Sequence, residues 1–234
     1  MSNQPFYNLR VAHKQKETTM TMWHIHIDAE EMTPDFKQHV LEVGFWVNNF
    51  LHEPGHDSWE PNTHLTYKTT SPVEFFDVFK ALEEYADSSK GLKGYIEGEF
   101  IPSDEDITFK PFDHSVPLPF KVSMKNLLPG QFKQDEIHVS LLRDQSDARL
   151  FDALEAMGLY MGQLPTPKGI RRVYTMSGLR KQIYQLLPIL TKYLKEAGGG
   201  MDCSIKEERI AQKWTSSPDV KLPPVIDCDN IEWL

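Results

Sequence analysis

The chain has 234 residues, 40% of them hydrophobic, and a formal net charge of −9 at pH 7, which is enough apolar content for one sizeable core or two lobes sharing one. The acidic balance argues against tight binding to duplex nucleic acid or anionic membranes, both of which favour excess Lys and Arg, but leaves room for a small phosphorylated ligand in a local basic pocket. The two cysteines, Cys203 and Cys228, form no C-x₂-C spacing and are consistent with a cytoplasmic protein; no apolar leader core and no run of about 18 apolar residues suggests export or a membrane span.

In chain order, residues 1–19 read as a polar arm. "MTMWHIHIDA" then alternates, with Trp23, Ile25 and Ile27 on one face and His24, His26 and Asp28 on the other, the period of a half-buried strand. "TPDFKQHVLEVGFWVNNFL" predicts a helix capped by Thr33, with Pro34 first and Phe36, Val40, Val43, Val47 and Leu51 on one stripe. "THLTYKT" is a strand. "SPVEFFDVFKALEEYADSS" repeats the start signal with Ser71 and Pro72 and places Phe75, Phe79, Leu82 and Tyr85 together.

"GYIEGEFIP" and "ITFKPF" read as two strands around the acidic turn "SDED", and "PFKVSMKN" and "DEIHVSLLRD" as two more. "SDARLFDALEAMGLYM" opens a helix with Ser146 as cap and Leu150, Leu154 and Met157 on one face. "GIRRVYTMSG" is a strand, and "LRKQIYQLLPILTKYLKEAGGG" a helix that Pro188 should kink and the glycines at 198–200 should end. After it, "SIKEERIAQKW" suggests a short helical piece before the Pro-rich "SSPDVKLPPVID". Several strands adjacent in sequence point to an α+β fold with mainly antiparallel sheet. Residues 20–199 form its main domain, and residues 200–234 are an appendage too apolar to be a free tail.

Two histidine signals compete for the chemistry. His52-Glu53-Pro54-Gly55-His56 matches the zinc-protease string HExxH, but that motif needs both His one turn apart on a helix. Pro54 and Gly55 occupy the middle of that turn, and Pro disfavours helix for the residue before it, so the match carries no geometry. The other signal is His64-Leu65-Thr66-Tyr67, on a strand whose alternation puts His64, Thr66 and Lys68 on one face. The same grammar returns in His138-Val139-Ser140-Leu141, 74 positions on.

"HLTY" and "HVSL", with the element order over about residues 20–195, resemble the 2H phosphoesterase superfamily, named for two His-apolar-Thr/Ser-apolar motifs. The resemblance implies a bilobal fold of two mainly antiparallel sheets, each carrying one motif, with helices packed outside. It also implies a metal-independent phosphodiesterase without cofactor, in which His64 and His138 are the acid/base pair and Thr66 and Ser140 donate to non-bridging phosphate oxygens. Its substrate would be a small nucleotide or an RNA end bearing a 2′,3′-cyclic phosphate, a 2′-5′ linkage or a cyclic (oligo)nucleotide bond. Ser140 departs from the commoner Thr but keeps the hydroxyl. The N-terminal arm, the stretch "FLHEPGHDSWEPNT" and the tail are further departures, which bear on substrate identity.

Lys68, on the His64 face, and Arg143, just past the second motif, are candidate phosphate neighbours; Tyr67 and Tyr174 are candidates to stack a base or to join the core. Arg171 and Arg172 have opposite parity, so at most one of them faces the cleft. "HIHID" aims His24, His26 and Asp28 to one strand face. It therefore offers either substrate contacts on the wall of the same cleft or the start of a metal-dependent hydrolase site. A non-catalytic nucleotide-binding module on the same scaffold is a third possibility.

Overall fold

The computed structural model describes residues 22–48, 51–52, 63–107, 110–122, 134–142, 146–199, 203–220, 225–226 and 231–234. The polar arm, most of the stretch containing HExxH, Arg143 and Cys228 lie outside the described residues. Thr33 accepts a hydrogen bond from the Phe36 N–H at 3.3 Å and starts helix α1, Pro34–Val43. Ser71 does the same for the Glu74 N–H at 3.2 Å and starts α2, Pro72–Ser89; in both, Pro at the first helical position leaves no wasted donor. Helix α1 is shorter than its apolar spacing predicts. Gly44 takes a left-handed conformation (φ 112°) and caps it, and Trp46–Asn48 leaves as a strand.

The strands are β1 Met22–Met32, β2 Trp46–Asn48, β3 Leu51–His52, β4 Thr63–Thr69, β5 Leu92–Ile107, β6 Phe120–Val122, β7 Asp135–Leu142, β8 Tyr160–Thr166, β9 Gly169–Gly178, β10 Cys203–Thr215 and β11 Ile231–Trp233. Helices α3, Ala148–Ala156, and α4, Arg180–Ala197, complete the described elements. The molecule is α+β, and among the described residues no helix is long and apolar enough to cross a membrane.

Instead of the expected two sheets, nine strands make one continuous antiparallel sheet in the order β2-β4-β1-β5-β10-β7-β9-β8-β3, and β11 pairs with β6 separately. The joint is β10, which pairs with β5 on one side and β7 on the other. The expected helical piece "SIKEERIAQKW" is this central strand. Its charged residues favour helix locally, but between two open strand edges every backbone group finds a partner, and tertiary pairing wins. β10 also explains why "SDED" is not a turn. Asp104 and Glu105 pair with Lys206 and Ile205, and Lys195 reaches Glu105 at 2.6 Å, so β5 runs through the acidic stretch as one strand of 16 residues.

Asp147 rather than Ser146 caps α3, accepting from the Arg149 N–H at 2.9 Å. The helix stops at Ala156, so that Tyr160 and Met161 enter β8. Helix α4 continues through Pro188 and ends at Gly198 (φ 81°), where a Cβ would meet backbone oxygens of Pro111 and Lys110 at 2.5 and 2.7 Å.

The sheet is strongly curled. β2 and β3 lie at its opposite edges, yet only two residues separate Asn48 from Leu51, so their Cα atoms are at most about 11 Å apart. Nine flat strands would span about 38 Å. The convex face is apolar and carries two clusters. Ile25, Ile27, Leu65 and Ile96 pack with Phe36, Phe75 and Phe79 of α1 and α2. Ile137, Val139, Leu141 and Met176 pack with Leu150, Leu154, Leu186 and Leu190 of α3 and α4. β10 touches both, through Cys203 and Ile205 on one and Ala211 and Trp214 on the other. Strand alternation then sends the remaining side chains to the concave face.

Candidate active site

The concave face encloses a cleft of about 420 Å³, within the range of pockets for small ligands. His24, His26 and Asp28 of β1, His64, Thr66 and Lys68 of β4, and His138 and Ser140 of β7 all line it. The two His-x-hydroxyl strands are four positions apart in the sheet; the curl is what brings both to one cleft.

On the first side, register sets Asp28 opposite His64 and His26 opposite Thr66. Asp28 Oδ1 contacts His64 Nδ1 closely, which leaves His64 Nε2 towards Thr66 Oγ1 at 3.4 Å. Thr66 is held by His26 Nδ1 at 3.0 Å and by a short bond from the Asn48 amide. The His26 and His64 rings stack with centroids 5.0 Å apart.

Across the cleft, His138 Nε2 lies 2.9 Å from Glu208 and 3.1 Å from Glu136, and Nδ1 lies 3.0 Å from Thr175 Oγ1. Glu136 is itself fixed by Ser177 and by the Tyr160 hydroxyl at 3.2 Å. Burial works against charge on His138, but the facing carboxylates of Glu208 and Glu136 outweigh it and raise the imidazole above its ordinary pKa. Burial also opposes charge on Glu208, yet Lys206 and His138 hold it well below the usual carboxylate range. Lys206 in turn is raised, its burial overcome by Glu208. His24 is lowered, chiefly by burial, and Lys68, at the exposed rim, is lowered by partial desolvation and by Lys206.

Arg171 donates through Nε to Ser140 Oγ at 2.8 Å and through Nη2 to the Ser140 carbonyl at 3.3 Å, placing a guanidinium beside the second motif. Arg172 points the other way and lies over Phe151, 4.2 Å from the ring centroid. Tyr174, a candidate base-stacking residue, is not in the cleft: it is fully buried on the convex face and stacks on Phe151. Its position, one residue on from Val173, which lines the cleft, dictates that orientation. Tyr67 also leaves the cleft and donates its hydroxyl to Glu74. His52 belongs to strand β3 at the sheet edge, the wrong backbone for a zinc-protease helix.

Sequence reasoning missed the carboxylate floor. Glu97, Glu99, Glu136 and Glu208 are all buried and line the cleft with Asp28. The signals were present as parity: Glu97 and Glu99 alternate in "YIEGEF", and Glu136 precedes His138 by two in "EIHVS". Glu208 was hidden by the helical reading of its segment. Among the described residues, five carboxylates therefore line this cleft together with Lys68, Arg171 and Lys206. No family model matches the chain, and no curated protein matches it.

Proposed function

We propose that the protein is a phosphodiesterase of the two-histidine kind that its "HLTY" and "HVSL" strands resemble, acting on a 2′,3′-cyclic phosphate, a 2′-5′ linkage or a cyclic (oligo)nucleotide. The observation that carries the reading is the arrival of His64 and His138, from strands four positions apart, on the walls of one small cleft. His64, with Nδ1 engaged by Asp28, presents Nε2 as the base that takes a proton from the attacking water or hydroxyl. His138 is the acid: its Nε2–H, held between Glu136 and Glu208, turns to protonate the departing alkoxide when substrate enters. The Thr66 and Ser140 hydroxyls, with Arg171, face the non-bridging oxygens and stabilise the charge that develops on them. Bond cleavage itself needs only these side chains.

The test is hydrolysis by the purified full chain of a panel of 2′,3′-cyclic nucleotides, 2′-5′ dinucleotides and cyclic di- and trinucleotides. His64→Ala and His138→Ala are each expected to lower turnover by about 10²-fold or more, with circular dichroism unchanged. Full activity in either variant, or no hydrolysis of any panel member by the wild type, would overturn the proposal.

A further inference from the structure

His24, His26, Glu99 and Glu208 bring one donor atom each to within 4.8 Å of one another, and we propose that they bind a divalent first-row metal ion, with Zn²⁺ as the ion to test. Two imidazoles and two carboxylates are a donor set such ions accept. The donors come from three consecutive strands, β1, β5 and β10. Glu99 is the direct register partner of His24, so the backbones beneath the site are fixed by sheet hydrogen bonds. A tetrahedral ion with bonds of about 2.1 Å needs its donors about 3.4 Å apart, so binding draws the four side chains together.

A second observation points to a ligand at this place. His24 is 4% exposed and its Nδ1 has no hydrogen-bond partner. The nearest carboxylate oxygen, Oε1 of Glu208, stands 3.6 Å away, beyond hydrogen-bond reach. On the same face His26 Nε2 stands 3.4 Å from Glu99 Oε2. Glu99 and Glu208 are 1% and 3% exposed, so the carboxylate donors are as withdrawn from water as the His24 ring. Glu208 divides its oxygens: Oε1 faces His24 and Lys206, and Oε2 faces His138. An ion at the first group would share Oε1 with the Lys206 ammonium or displace it, and would leave the Oε2 contact to His138 in place. Such an ion adds positive charge to a cleft lined by five carboxylates, which favours an anionic ligand.

The experiment uses the full chain, stripped with EDTA and dialysed. Zn²⁺ is titrated by calorimetry and Co²⁺ by its visible ligand-field absorption. The expected result is one saturable equivalent and Co²⁺ bands of a site with imidazole ligands. His24→Ala and Glu99→Gln are each expected to weaken binding by at least about tenfold. If those buried variants misfold, the wild type still decides, since added Zn²⁺ must shift the imidazole ¹⁵N resonances assigned to His24 and His26. No saturable binding, or binding that persists unchanged in a folded His24→Ala/His26→Ala variant, overturns the proposal. The readout is independent of turnover. Metal bound without hydrolysis would sink the phosphodiesterase reading alone, and hydrolysis without metal binding would sink this one alone.

Discussion

Asp28 shows how much one carboxylate decides. It engages His64 Nδ1 and so selects which ring nitrogen faces the cleft. Asp28→Asn keeps the size but can donate to the ring instead, which frees the tautomer. Its expected effect is a fall in kcat of at least about tenfold with KM little changed, read in steady-state kinetics on whichever panel member is hydrolysed. Gly98 is a residue of the opposite kind. A Cβ there would come within 2.6 Å of Phe75 and 3.0 Å of Phe79, so Gly98→Val is expected to destabilise by about 1–3 kcal/mol through overpacking, measurable as a lower urea midpoint. At this scale the motif histidines and their hydroxyls were legible because both lie at fixed offsets on strands that alternate cleanly. The acidic partners were legible only as parity, since a carboxylate on the polar face of a strand is ordinary until the neighbouring strand is known. Tyr174 went the other way: an aromatic one position out of phase with the cleft is a core residue.

Among the elements, local chemistry was the more readable part. The caps at Thr33 and Ser71 and the stripes of α1 and α2 need only neighbouring residues to explain them. Helix α3 offers a further test. The Arg149 side chain, bonding to Asp147 at 3.0 and 2.7 Å, and the Arg149 N–H together lower the Asp147 pKa to about 2. A carboxyl depressed in the folded state contributes stability that is present above its unfolded pKa of about 3.9 and is lost as pH falls through the folded value. Asp147→Ala is therefore expected to cost about 1 kcal/mol near neutral pH, and the difference from wild type to close between about pH 4 and pH 2 in urea unfolding. The continuous β5 and the strand β10 were not legible, because the partners that stabilise them lie about a hundred residues apart in sequence, and "KEER" and "SDED" carry the composition of helix and turn.

For the molecule as a whole, β10 is the keystone of the sheet, and Cys203 at its start reports on it. The thiol is 2% exposed, and burial pushes its pKa up to about 12, so it is neither reachable nor ionised. In a Cys228→Ser variant, iodoacetamide at pH 8 is expected to leave Cys203 unmodified in the native protein and to modify it fully in urea, as read by intact mass; rapid native labelling would show that β10 does not sit where the structure puts it. The position of β10 in the chain also has a consequence for biosynthesis. The ribosome delivers β1 to β9 first, with the long β5 and β7 each holding one row of backbone donors and acceptors open. Until residues 203–215 emerge, the nascent chain carries two adhesive edges that other chains can occupy. Such a protein closes its sheet only after residues 203–215 have been made, and a chain stalled before Cys203 is an aggregation hazard rather than a functional half.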